Sequence, residues 1–266
     1  MSAPIRVVVY GALGRVGREV VMAACKDPDL QPVGAVDARA DADALPLPVG
    51  KGSIPLSRDL ESILAQTRPG VIVDFTTAEA SLDMVRAATK HKVNVVIGST
   101  GFSPQNLEEI DRLARENEVG AVVASNFALG AVLLMHFARI AARYFDHAEI
   151  IELHHDQKAD APSGTALTTA RLMRESRGAD LASAATTKTT LEGVRGGVQG
   201  GINIHSVRLP GLVAHQEVIF GGLGQTLTLR HDSISRESFV PGVLMAVKEV
   251  VKRQDLVTGL ESLLGL

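Results

Sequence analysis

The chain has one cysteine, no tryptophan and only 3% aromatic residues among its 266. A single thiol, Cys25, excludes an internal disulfide and a cysteine-based metal site. It lies in "VVMAAC" of an expected helix and reads as a small core residue. The scarcity of aromatics argues against base-stacking platforms for single-stranded nucleic acid. No basic block or stripe accompanies the formal charge of −3, so the electrostatic footprint of nucleic-acid binding is missing. No apolar run reaches membrane-spanning length, and "MSAPIRVVVYG" enters a strand pattern with no basic-then-apolar signal peptide. The expectation is a soluble cytoplasmic protein without a nucleic-acid or membrane partner.

What is present is a regular alternation. "IRVVVYG", "PVGAVD", "GVIVDFT", "VNVVIGST" and "GAVVASN" are β-branched runs, as in strands buried on both faces. Between them, "GRVGREVVMAACKD", "LESILAQT", "AEASLDMVRAATKH" and "SPQNLEEIDRLARENE" have helical spacing. Ser103 and Pro104 supply an N-cap and a first-turn proline for the last of these. The pattern predicts an α/β fold, a Rossmann-like parallel sheet wrapped by helices. From about Asn126 the style changes. A long helix, "ALGAVLLMHFARIAARYF", and a strand, "AEIIEL", lead to a helix beginning near Ser163. "GINIHSVRLPG", "LVAHQEVIFGG" and "GQTLTLRHDS" then alternate with period two and read as an antiparallel meander. A second, α+β domain with a mixed or antiparallel sheet is expected. The chain should close with two helices, "SRESFVPGVLMAVKEVVKRQ" and "LVTGLESLLG". "DARADADALPLPVGKG" reads as a loose surface loop.

Gly11, Gly14 and Gly17 in "VVVYGALGRVGREV" fall between a strand and a helix. There glycines permit a tight turn, close approach to a pyrophosphate, and packing of helix on strand. The G-x-x-G-x-x-G spacing alone is weak, since glycines also make ordinary turns. Asp37, at the end of the second strand and twenty residues past Gly17, stands where an acid accepts ribose hydroxyls. A carboxylate there favours NADH, while Arg39 and Arg15 are cations able to meet the extra phosphate of NADPH. Both cofactors stay open. "DFTT", "GSTGF" and "SNF" each follow a parallel strand, and such carboxyl ends line the ligand crevice of doubly wound sheets.

"ELHHDQKADAPSGTA" holds the remaining chemistry. In an extended chain His154 and His155 point to opposite faces, which speaks against a metal pair, and no metal is expected. A histidine suits acid–base work near neutrality. Lys158 can bind a carboxylate or deliver a proton. Pro162 and Ser163 open a helix whose Gly164 and Thr165 amides are free to hold an anion. Together these describe a pocket for a small carboxylate that is reduced and protonated.

With "GALGRVG", "DFTT", "GSTGF", "SNFALG", "HSVRLPG" and "EVIFGGLGQTLTLRHDS", this element makes the whole chain resemble the 4-hydroxy-tetrahydrodipicolinate (dihydrodipicolinate) reductases of diaminopimelate and lysine synthesis. The resemblance implies a dinucleotide-binding domain of residues 1–126 completed by helices 237–266. Residues 127–236 would form a substrate-binding and oligomerisation domain, and the assembly would be a homotetramer. It implies NADH- or NADPH-dependent reduction of a cyclic hydroxy-dicarboxylate with loss of water. By motif position, His154 is then the acid–base residue and Lys158 the proton donor, while His155, Gly164 and Thr165 contact substrate. Gly11, Ala12, Leu13, Gly14, Arg15, Val16, Gly17, Asp37, Arg39, Gly98, Ser99, Thr100, Ala124, Ser125, Asn126 and Phe127 contact the dinucleotide. Val16, Ser99 and Ala128 replace the methionine, threonine and serine usual at those places. Arg195, His205 and His215 carry no assigned role, and the two histidines read as structural.

Overall fold

The computed structural model describes residues 3–48 and 50–266. The chain divides into two compact units, one made of residues up to Ala128 with Arg236–Leu266, the other of Leu129–Ser235. The first unit opens with β1 (Ile5–Tyr10), whose Val7, Val8 and Val9 are all buried, followed by α1 (Arg15–Lys26) and β2 (Leu30–Val36). Then come β3 (Ala44–Pro46), β4 (Ser53–Ser57), α2 (Leu60–Thr67), β5 (Val71–Asp74), α3 (Ala78–Lys90), β6 (Asn94–Ile97), α4 (Pro104–Asn117) and β7 (Ala121–Val123). Ser103 caps α4 in a reciprocal capping box with Asn106, and Pro104 starts the helix as expected.

The second unit runs through α5 (Leu129–Ala141), β8 (His147–His154), α6 (Gly164–Arg177), β9 (Gly197–Gln199), β10 (Ile202–Arg208), β11 (Ala214–Gly222) and β12 (Gln225–Ser233). The chain re-enters the first unit by a 3₁₀ turn (Arg236–Phe239), α7 (Val240–Val250), β13 (Leu256–Thr258) and α8 (Leu260–Leu264).

Among the described residues the first sheet has eight strands in the order β13-β7-β6-β5-β1-β2-β4-β3. All its pairs are parallel except β3 with β4. The order reverses between β1 and β5, which creates the switch point where such sheets hold ligands. Val8, Ile72, Val95 and Ile97 pack there with Ile63, Leu64, Met84, Val85 and Ile110 of the covering helices.

The second sheet is mixed, in the order β12-β11-β8-β10-β9. α5 and α6 cover one face, burying Ile150, Ile202, Val218, Phe220 and Met173.

Four local expectations are corrected. β10 and β11 are not neighbours in a meander: β8 lies between them, parallel to β10 and antiparallel to β11. β8 buries Ala148, Ile150 and Glu152 on one face and leaves Ile151 and Leu153 half-buried on the other, and its central place in the sheet was not revealed by the Pro210–Gly211 turn signal. The expected loop over 37–52 contains β3, and "SIPLS" just after it is β4, paired to β2. Pro55 and the shortness of the run hid that strand. Val49 of the stretch, like Met1 and Ser2 at the start, lies outside the described residues. "LVT" is the edge strand β13, not the start of a helix, and α5 ends at Ala141 rather than near Phe145.

Gly242 in α7 sits where any Cβ would strike the Phe127 carbonyl oxygen and come within 2.9 Å of Leu260 Cδ2. Gly242→Ala should therefore destabilise the protein by about 1–3 kcal/mol, the usual effect of overpacking. Urea unfolding measures this, and an unchanged midpoint would remove the contact from the account.

Candidate active site

In the first unit the loops following β1, β5, β6 and β7 touch one another. Gly11 adopts φ +82°, and a Cβ there would lie 2.8 Å from Thr76 Cγ2 and 3.3 Å from the Phe75 carbonyl oxygen. Glycine is thus required both by conformation and by space. A Cβ on Gly14 would stand 3.0 Å from the Gly11 carbonyl oxygen; one on Gly17 would collide with that same oxygen. Ala12 is buried and donates its N–H to the Val36 carbonyl at 3.2 Å. α1 begins at Arg15 with no side-chain cap, and the amides of Arg15, Val16 and Gly17 have no partner among the described residues. The side chain of Arg15 is exposed and that of Val16 half-buried.

Asp37 is buried behind this turn. Its carboxylate accepts from the Leu13 amide at 2.9 Å, from the Arg39 amide at 2.9 Å, and from Arg39 Nε and Nη2 at 3.1 and 3.2 Å. Burial alone would raise its pKa, but the bonds from Arg39 and Leu13 outweigh burial and hold it below the usual carboxylate range. The Asp37 amide in turn donates to the Ser57 carbonyl of β4 at 3.1 Å.

Asp74 ties the next two loops together. It is fully buried and accepts from the Thr76 amide at 2.9 Å, Thr76 Oγ1 at 2.7 Å, Ser81 Oγ, and Ser99 Oγ at 3.4 Å. Burial pushes its carboxyl up, against those hydrogen bonds. A Cβ on Gly98 would run into the Phe75 ring, which packs edge-on to Phe127 at 5.6 Å. Ala124 and Phe127 are buried, Ser125 and Thr100 are exposed, and Asn126 Oδ1 accepts from the Ala128 amide at 2.9 Å. All the residues expected at the dinucleotide thus stand on one end of one sheet. The uncapped helix, the glycine cradle a Cβ would fill and the held carboxylate fit a pyrophosphate with its ribose.

In the second unit β8 delivers His154 at its last position. His154 Nδ1 lies 2.5 Å from Glu152 Oε2. Glu152 has no exposure, and its carboxylate also accepts from Arg208 Nη1 at 2.9 Å, Arg208 Nη2 at 2.8 Å and the Ser163 amide at 3.2 Å. Arg208 Nη2 further donates to the Asp160 carbonyl at 2.6 Å, and the Asp160 carboxylate accepts from Lys158 Nζ at 2.6 Å. One chain of bonds therefore runs His154–Glu152–Arg208–Asp160–Lys158. It joins the two expected catalytic residues through three that the sequence reading passed over.

The signal was present in part, because period two places Glu152 and His154 on the same face of the strand. Ser163 caps α6 through the Ala166 amide at 3.2 Å. The Gly164 and Thr165 amides then have no partner among the described residues. His155 lies just past the strand, half-buried, and its carbonyl accepts from the Lys158 amide at 3.2 Å.

The opposite face of this sheet holds the three residues without an assigned role. Glu149 accepts from Arg195 and pairs with His205 Nε2 at 2.8 Å; His215 pairs with Asp232 at 2.7 Å. Among the described residues no group of three or more His, Cys, Asp or Glu is placed to hold a metal. A cavity of about 830 Å³ lies at the N-terminal ends of β1 and β2, lined in part by Arg6, Cys25, Lys51 and Gln66. It holds none of the expected site residues.

The family model for the N-terminal part of dihydrodipicolinate reductase matches residues 5–127, and that for the C-terminal part matches residues 130–264. The chain belongs to the dihydrodipicolinate reductase family. A 4-hydroxy-tetrahydrodipicolinate reductase of Dehalococcoides mccartyi (strain BAV1) is 56% identical over 263 residues, covering 99% of each chain. That of Moorella thermoacetica is 51% identical over 270 residues, again with 99% of each covered. The solved structure of a dipicolinate-bound dihydrodipicolinate reductase from Paenisporosarcina sp. TG-14 superposes with a TM-score of 0.87 at 43% identity. It covers 97% of this chain and 99% of that one. An amine dehydrogenase from Mycobacterium smegmatis, at 17% identity and a TM-score of 0.67 over 95% and 94% of the two chains, shares the fold. A dihydrodipicolinate reductase family member thus carries its histidine, lysine and helix terminus in the second unit and its glycine cradle in the first.

Two outcomes are expected from this geometry. Gly17→Ala forces a Cβ into the Gly11 carbonyl and should abolish NADH binding in a fluorescence titration while leaving the far-UV circular dichroism of the chain nearly unchanged; unchanged affinity would exclude the cradle. The second concerns Glu152, in which burial would raise the pKa, but hydrogen bonds from His154, Arg208 and Ser206 outweigh it and hold the carboxyl at about 2. A folded pKa below the unfolded value of 4.5 adds stability that is complete above 4.5 and lost as pH falls through about 2. The stability gap between wild type and Glu152→Gln, about 3 kcal/mol at neutral pH, should narrow as pH drops from about 5 to about 3. Urea unfolding across that range checks the sign.

Proposed function

We propose that the protein is an NADH- or NADPH-dependent 4-hydroxy-tetrahydrodipicolinate reductase of diaminopimelate and lysine biosynthesis. It reduces the cyclic hydroxy-dicarboxylate to tetrahydrodipicolinate with loss of water. The observation that carries this reading is the His154–Glu152–Arg208–Asp160–Lys158 network beside the open N-terminus of α6, in a chain at 56% identity to a reductase of that name. Overall, one hydride and one proton enter the substrate and one water leaves. The reduced nicotinamide, when bound, supplies the hydride.

The chain's own residues do the rest. The free amides at Arg15–Gly17 and the glycine turn hold the pyrophosphate, with Ala12, Leu13, Gly98–Thr100 and Ala124–Phe127 along the same crevice. Asp37 accepts ribose hydroxyls, and Arg39, once released from Asp37, is the cation for an extra phosphate, so both cofactors are accommodated. The Gly164 and Thr165 amides, with His155, take a substrate carboxylate. Lys158 exchanges its Asp160 partner for substrate and donates a proton. His154, whose Nδ1 is occupied by Glu152, handles protons through Nε2.

In this reading residues 1–126 and 237–266 form the cofactor domain and 127–236 the substrate domain. The open face of the second sheet, bearing Glu149, Ile151 and Leu153, is the surface through which a homotetramer assembles. The location that goes with this role is the cytoplasm.

The test is a coupled assay in which the upstream synthase generates the unstable substrate from pyruvate and aspartate semialdehyde. Substrate-dependent oxidation of NADH or NADPH is expected. Cofactor binding without turnover, beside a working synthase, would instead favour another dehydrogenase on the same fold. In the same assay Lys158→Ala should lose roughly 10²-fold or more in kcat, as removal of a positioned acid does, with cofactor affinity nearly unchanged. Intact turnover would take Lys158 out of the mechanism.

A further inference from the structure

Glu152 is a carboxylate with no solvent exposure on the central strand of the second sheet. A buried charge is tolerated only when paired and hydrogen-bonded, and well-packed apolar residues would fill such a place at least as stably. Its presence therefore asks for a use beyond packing. We propose that Glu152 and Arg208 are positioning residues that fix the tautomer of His154 and hold the Lys158 loop in register with it. The proposal rests on the reading of His154 and Lys158 as the proton-handling pair.

The geometry carries it in three steps. An ionised carboxylate only accepts hydrogen bonds, so the 2.5 Å contact to Glu152 Oε2 requires the proton on His154 Nδ1. In the neutral ring Nε2 is then left as the free nitrogen. Second, Arg208 grips both Glu152 oxygens, which stops the carboxylate rotating away from the ring. Third, the same guanidinium donates to the Asp160 carbonyl, so the loop bearing Lys158 hangs on the group that orients His154. Strand register makes this possible. Parallel pairing sets Arg208 opposite His154 and Ser206 opposite Glu152, while β11 brings Gln216 opposite Glu152 and β12 brings His231 opposite Gln216.

The charged and titratable groups around this corner are thus Glu152, Arg208 on β10, His231 on β12, and His155, Lys158 and Asp160 on the loop. Gln216 donates to Thr169 of α6 at 2.8 Å and adds no charge. Among the described residues only Glu152 bonds the His154 ring.

The test combines a spectrum with kinetics. In protein labelled with ¹⁵N-histidine and free of cofactor, two-bond ¹H–¹⁵N correlations above neutral pH should show the Nδ1-protonated form of His154. A predominant Nε2-protonated form in the wild type would overturn the proposal, whatever the variants do. Glu152→Gln should mix the tautomers and lower kcat roughly 10²-fold with little change in KM. A merely structural Glu152 would leave the tautomer alone. Arg208→Lys keeps the charge but loses the two-handed grip. It should keep the wild-type tautomer and lose roughly 10-fold in kcat, since a single misplaced group acts at this scale; wild-type kcat would remove Arg208 from the proposal. His154→Gln separates the failures. If it retains full turnover, the acid–base reading itself is wrong. If it is inactive while Glu152→Gln matches wild type in tautomer and kcat, only the positioning role is lost.

Discussion

One buried carboxylate organises the second unit. Glu152 accepts from a histidine on its own strand, an arginine on the parallel neighbour, and the amide that opens α6. Each partner fixes an element: the end of β8, the end of β10, and the start of the helix whose free amides face outward. Placing β8 between β10 and β11 is what makes this convergence possible. A simple hairpin of β10 on β11 would have carried Arg208 one strand further from Glu152. The mixed sheet thus serves the site as well as the core.

The first unit reaches the same end by different means. Its loops are gathered less by charge than by absence of side chains, with Gly11, Gly17 and Gly98 letting backbone and the Phe75 ring come close. Asp74 is the exception, a buried acid that knots "DFTT" to "GSTG". Its pKa is pushed up where that of Glu152 is held down. The difference is the partners: hydroxyls and an amide cannot offset desolvation as a guanidinium and an imidazole do.

Much of this was legible in the sequence, and for local reasons. The parallel strands announced themselves because both faces are buried, so valine and isoleucine run without interruption. Ser103 was readable as a cap, Pro162–Ser163 as a helix start, and the glycine spacing as a turn between strand and helix. What escaped was non-local. Glu152 lay within reach, since the same period that sends His154 and His155 to opposite faces puts Glu152 beside His154. Arg208 was not within reach, because its partner lies 56 residues away and the register of β10 on β8 is written in no short motif. Likewise the insertion of β8 between β10 and β11 is a property of the whole sheet.

Asp37 hangs by its amide from Ser57, so its place is set by β4, and β4 is held between β2 and the little edge strand β3. Within the segment between Asp37 and Ser53, β3 folds back antiparallel on β4 at the edge of the sheet. The position of this acid behind the glycine turn is thereby open to drift through insertions and deletions in a surface hairpin, without any change to Asp37 itself. Related chains that differ there in length are the natural place to look for a changed taste in cofactor.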